Sequence, residues 1–120
     1  MEFNNNIPIY LQVIDDIKKN IVNGILPMGG KMPSGRELAF QYKINPNTAN
    51  RIYKELEASG ICFTKRGLGT FVTENQRIIS NIREEMAENL LEHFIEGMKS
   101  LGFSKDMVDN LIDLKYGKGE

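Results

Sequence analysis

Cysteine, histidine and long apolar runs are what this 120-residue sequence has least of. A single cysteine, Cys62, excludes an intrachain disulfide, and a single histidine, His93, leaves nothing to assemble a Cys/His metal cluster. No Ser/His/Asp or Cys/His nucleophilic set is read in the sequence, the acids lying on helical faces. No apolar stretch is long enough to span a bilayer. The opening "MEFNNNIPIY" lacks the basic and apolar regions of a secretory signal. These absences point to a cytosolic protein that is not an enzyme, carries no cofactor and has no membrane partner.

Charge of one sign is also missing, since the net charge is −1. Its distribution is uneven, however. Residues 1–73 carry nine Lys/Arg against six Asp/Glu, a balance of +3, whereas residues 74–120 carry six against ten, a balance of −4. Such a division separates a surface suited to a polyanion from one that would repel it.

The apolar spacing predicts five helices and a hairpin. Tyr10, Val13, Ile14, Ile17 and Ile21 follow a helical stripe behind Pro8, and Asn23-Gly24 ends it. "ILPMGGKMPS" (25–34), with two prolines and two glycines, cannot be regular. Ser34 with Glu37 makes a capping box for a short second helix through Leu38, Ala39 and Tyr42. Asn45-Pro46 supplies an N-cap and a first-turn proline for a third, with Ala49, Ile52, Tyr53 and Leu56 on one face and Gly60 as its stop. "ICFT" (61–64) and "GTFV" (69–72) flank Lys65-Arg66-Gly67-Leu68 as a β-hairpin. Thr73 with Gln76 reads as a second capping box, opening a long helix striped by Ile79, Ile82, Met86, Leu90, Phe94 and Met98. Gly102 interrupts, Ser104 caps, and Met107, Val108, Leu111 and Ile112 mark the last helix.

Two short helices with a tight turn, then a hairpin, make a winged helix-turn-helix: mainly α, with a small β-hairpin wing. In that arrangement the second helix of the pair enters the DNA major groove. Opposite its apolar face this sequence offers Asn47, Thr48, Asn50, Arg51 and Lys54, with no acid in the first two turns. Asparagine pairs with adenine and arginine with guanine. At the hairpin tip, Lys65 and Arg66 attract phosphate, and Gly67 and Gly69 remove bulk so that backbone reaches into a minor groove about 6 Å wide. A nucleotide-phosphate loop would instead need a helix after the glycines, and a strand follows them. A winged helix that binds only protein stays open as an alternative.

The stretch "GGKMPSGRELAFQYKINPNTANRIYKELEASGICFTKRGLGTFV" (29–72) resembles the DNA-binding domain of the GntR family of bacterial transcription regulators. The resemblance rests on Pro-Ser-x-Arg-x-Leu-Ala (33–39), Thr48, Leu56-x-x-x-Gly60 and Gly-x-Gly-Thr-x-Val (67–72). "INPNT" and "IPIYLQV" are most similar to its YtrA-like branch. The resemblance implies that Arg36 grips phosphate or a base, that Asn47, Thr48 and Asn50 are recognition-helix contacts, and that Arg66 and Gly67 form the wing tip. Two positions depart from the family pattern: Gly35, where many members carry an acidic or larger residue, and Asn50, often an arginine, with Arg51 beside it.

The tail after the wing is too short for the large effector-binding domains of most branches, and it fits a two-helix dimerisation device. Residues 1–73 are thus expected as the DNA-binding domain and 74–120 as the dimerisation segment, its apolar stripe Ile79, Ile82, Met86, Leu90, Phe94 and Met98 buried against a second copy. The expected partners are a double-stranded, palindromic DNA operator and a homodimer mate, and the expected role is that of a repressor. The resemblance extends to transporter operons as targets; the sequence names no effector. Glu84, Glu85, Glu88, Glu92 and Glu96 read as a solvated acidic face, and Cys62 as a buried, inert thiol.

Overall fold

Residues 1–117 are described by the structure, a computed structural model. The elements follow the expected order among these residues: α1 (Ile9–Val22), α2 (Gly35–Tyr42), α3 (Pro46–Ala58), β1 (Cys62–Lys65), β2 (Gly69–Val72), α4 (Gln76–Ser100) and α5 (Lys105–Tyr116). The chain divides into two compact units, Met1–Arg83 and Glu84–Glu120.

In the first unit, local signals set the helix ends. Pro8 precedes α1 without a side-chain cap, its carbonyl accepting the Leu11 N–H at 3.2 Å, and Val13, Ile14, Ile17 and Ile21 form the buried stripe. The Ser34 N–H donates to Glu37 Oε1 at 2.8 Å and the Glu37 N–H to Ser34 Oγ at 3.1 Å, so both halves of the capping box are made. Asn45 caps α3 by accepting the Asn47 N–H at 2.7 Å, with Pro46 directly behind it. Between the two helices the backbone reverses through Lys43, which adopts a left-handed conformation at φ 56°. Ile17, Leu38, Ile52, Leu56, Val13 and Val72 are the largest fully buried side chains, and they tie all three helices to the hairpin.

The hairpin pairs Cys62 with Val72 through to Lys65 with Gly69. Lys65 therefore belongs to β1, and the turn is Arg66-Gly67-Leu68, closed by the Leu68 N–H on the Lys65 carbonyl at 2.9 Å. Gly67 sits at φ 79°, a conformation that side chains with a Cβ resist. The segment before α2 is more ordered than its prolines and glycines imply. Lys31 bridges Phe71, with the Met32 N–H on the Thr70 carbonyl at 2.7 Å and the Val72 N–H on the Gly30 carbonyl at 2.9 Å.

The expected Thr73–Gln76 capping box does not form. Thr73 is buried, its N–H donates to the Ile61 carbonyl at 2.8 Å, and its hydroxyl accepts the Asn75 N–H at 3.1 Å. Having been drawn into the hairpin, it leaves capping to Asn75, whose side chain accepts the Arg77 N–H at 3.0 Å. Ile79 and Ile82, expected on a dimer face, are 8% and 5% exposed within the chain. This explains why the first unit runs to Arg83 rather than ending at residue 73: the opening turns of α4 complete its core.

In the second unit, the rest of α4 leads to a turn at Gly102, and Ser104 caps α5 by accepting the Met107 N–H at 3.3 Å. None of its described side chains is buried. Leu91, Phe94, Ile95, Met98, Val108 and Ile112 line an apolar groove of about 330 Å³ between the two helices.

Candidate nucleic-acid interface

The buried stripe of α3 fixes which of its residues look outward. With Ala49, Ile52, Tyr53 and Leu56 turned into the core, Asn47, Asn50, Arg51 and Lys54 are exposed and Thr48 is half-buried. Tyr53 locks the helix in rotation, donating its hydroxyl proton to the Pro33 carbonyl just before α2. Burial is the main force pushing that phenol well above its usual range, so it stays a donor at all ordinary pH.

Around this edge lies a cleft of about 570 Å³. Its walls are the start of α2 (Ser34, Gly35), the outer side of α3 (Asn50, Lys54) and the wing (Leu68, Gly69). Lys31 stands on its rim, its Cε only 3.0 Å from where a Cβ on Gly69 would lie. Two acids also line the cleft, and both are already engaged. Glu37 is in the capping box, where the Ser34 backbone N–H holds its carboxyl below the usual range. Glu57 accepts from the Thr64 hydroxyl. The cleft is walled by a helix edge and a hairpin and lined by two lysines, Lys31 and Lys54, beside the two acids. It is its shape, rather than its net charge, that suits a nucleic-acid strand.

The other expected residues sit around the cleft rather than in it. Arg36 is exposed on the first turn of α2, in a hollow shared with Phe40, Lys43 and Pro46, which brings it beside the start of α3. Arg66 and Gly67 stand exposed at the wing tip. Lys65 is held over the wing's aromatic pair, its Nζ 5.1 Å from the Phe71 centroid and 5.6 Å from that of Phe63. Those rings stack at 5.8 Å.

Arg51 is the exception. Its guanidinium lies 3.7 Å over the Tyr10 ring of α1, and its Nε is 3.6 Å from Glu55. It belongs to the α1 flank of α3, not to the cleft. The sequence reading missed this platform and the rim position of Lys31. Tyr10 and Arg51 are far apart in the chain, and only the packing of α1 on α3 brings them together. Cys62 matches its expectation as a buried thiol, pushed up to about 12 chiefly by desolvation.

A three-helix core presenting the outer edge of its third helix beside a hairpin wing defines a winged helix-turn-helix, a class built to bind DNA. The sequence pattern "Bacterial regulatory proteins, gntR family" matches residues 9–72. The chain belongs to the GntR family and is a DNA-binding transcriptional regulator rather than an enzyme. It is 43% identical over 105 residues to the uncharacterized HTH-type transcriptional regulator YhcF of Bacillus subtilis, covering 88% of this chain and 87% of that protein. It is 35% identical to the HTH-type transcriptional repressor YtrA of the same organism, covering 92% and 90%. Among solved structures, a GntR family transcriptional regulator from Listeria monocytogenes superposes with a TM-score of 0.86 at 38% identity, covering 92% of this chain and 97% of that one.

Proposed function

We propose that this regulator is a homodimeric repressor that occupies a palindromic operator, each protomer reading one half-site. The observation that carries the reading is the outward edge of α3, set beside a cleft that ends at a slender glycine-tipped wing. Asn47, Thr48 and Asn50 meet base edges in the major groove. Arg36 and Arg66 engage flanking phosphates, and Gly67 lets the wing tip approach the minor groove. Lys65 adds charge from its aromatic seat, and Arg51 adds charge from its Tyr10 platform. Dimerisation falls to the second unit, through Met86, Leu90, Phe94 and Met98 and the groove between α4 and α5. Half-sites are then spaced by about one DNA turn or a multiple of it. Repression follows by exclusion of polymerase, and the YtrA-type resemblance supports a transporter operon as target.

Footprinting on the DNA upstream of the chain's own gene tests this. Specific protection about 10³-fold tighter than binding to random duplex, with a steep linear fall of log affinity against log salt, is expected. Binding no tighter than to random DNA at physiological salt would reject the operator reading.

A further inference from the structure

Among the described residues, Phe40 is the most exposed large apolar side chain, at 86%. It lies on the last turn of α2, four residues after Arg36, so the two share a face. A lone exposed apolar residue is ordinary on a protein surface. Phe40 is not alone. Ala39, Ile44 and Pro46 line the same hollow of about 720 Å³, whose walls also include Arg36 and Lys43. Unlike the cleft beside the wing, this hollow has no acid among its lining residues. Neither of its cations is in an ion pair among the described residues.

The patch has a fixed support. The Ile44 N–H donates to the Ala39 carbonyl at 2.9 Å and the Lys43 N–H to the Phe40 carbonyl at 3.3 Å, closing the end of α2. That closure puts Lys43 at φ 56°, the one positive φ taken by a residue other than glycine among the described residues. A lysine side chain thus stands beside Phe40 at a position whose backbone favours glycine. Pro46, at the start of α3, carries the patch on to Asn47 and the outward edge of that helix.

An apolar surface framed by cations matches the outer edge of a DNA strand, where deoxyribose carbons alternate with phosphate oxygens. An acidic protein would satisfy the charge equally, but continuity with the α3 edge favours DNA. We infer that Phe40 is a further DNA-contact residue. Its ring packs on a deoxyribose of the strand beside α3, and Arg36 and Lys43 take neighbouring phosphates. Such a contact carries no base identity, so it adds affinity and register rather than sequence preference. The inference rests on the reading of α3 as the helix that enters the groove.

The test uses the full chain, a duplex carrying the footprinted site and a random duplex of the same length. Phe40→Ala is expected to weaken binding to both about tenfold, as apolar area is lost from the interface. The slope of log affinity against log salt should not change, because no phosphate contact is removed. Lys43→Ala should instead lower that slope by about one. Phe40→Leu, which keeps apolar surface, should recover most of the affinity. Hydroxyl-radical cleavage, which reports the exposure of individual sugars, should show about one sugar per half-site deprotected in Phe40→Ala, with the rest of the footprint retained. Wild-type affinity with an unaltered sugar pattern in Phe40→Ala would overturn the contact and leave the patch to a protein partner. A loss confined to the footprinted duplex would overturn it in favour of a base contact. If wild type binds no site more tightly than random duplex, the operator reading fails, and the random-duplex titrations still decide Phe40.

Discussion

The two units of this chain differ in what they bury. Every buried apolar residue lies between Val13 and Ile82, in the first unit, whereas the second has none among the described residues and leaves Leu90 at 69% and Leu101 at 71% exposed. The first unit has the core of an independently stable domain. The second is the remainder of α4 with α5, whose described apolar side chains are left unburied. Packing holds the one together, while the other exposes an apolar stripe of the kind that the proposed dimer would cover.

Leu90→Asp should have the largest effect, and it should fall on one unit alone. In a symmetric dimer it removes two apolar side chains, each contributing about 1.5–3 kcal/mol when fully buried, and leaves charges in their place. Sedimentation mass should fall to that of a protomer while the winged helix keeps its hydrogen-exchange protection. A dimer that survives the change would move the interface elsewhere. The mirror experiment is Ile52→Ala, which opens a cavity at a residue with no exposure. A loss of about 2–5 kcal/mol is expected, read by chemical denaturation of the first unit. If the second unit's helices lost protection to the same degree, the two would be one cooperative body and the contrast would disappear.

Within the first unit, the cleft and its flank should separate next. Arg36→Ala and Thr48→Ala should each weaken operator binding by about 1–3 kcal/mol with the dimer intact. Arg51→Ala should cost less in binding, since that guanidinium is already committed to Tyr10 and Glu55. An Arg51 effect equal to that of Thr48, measured in the same titration, would show that DNA draws Arg51 off its platform.

What the sequence made legible was local. The Ser34–Glu37 box and the Asn45-Pro46 start were readable because each signal lies within three residues and nothing distant competes for the same atoms. The Thr73–Gln76 pattern was just as good on paper and failed, because the Ile61 carbonyl claims the Thr73 backbone. Periodicity showed that Ile79, Ile82, Met86 and Leu90 share a stripe, but it could not say that the first two are covered within the chain. The Arg51–Tyr10 stack and the close approach of Asn50 to Gly35 are likewise long-range, created by helix packing, and the Lys31–Phe71 bridge is made by backbone pairing of the loop before α2 with β2. Gly35 and Asn50 were visible as two separate departures from the family pattern; that they touch was not.

The smallest expected effect tests the cap from which Gly35 emerges. Glu37 is fully exposed, yet its carboxyl is held below its usual value of 4.5, first by the Ser34 backbone N–H and then by the Ser34 hydroxyl. A group whose folded pKa lies below its unfolded one contributes stability that is fully present above the unfolded pKa and is lost as pH falls through the folded one. The charge-dependent part of the cap should therefore be intact above the ordinary value of 4.5 and be lost as pH falls through the depressed one. Glu37→Gln keeps an oxygen for the Ser34 N–H but has no charge to lose. Its melting temperature should lie slightly below that of wild type at neutral pH, with the gap closing on acidification as wild-type Glu37 takes up its proton. A gap that stayed constant down the acid limb would mean that the box works through hydrogen bonding alone, with no contribution from the carboxylate's charge at the positive end of α2.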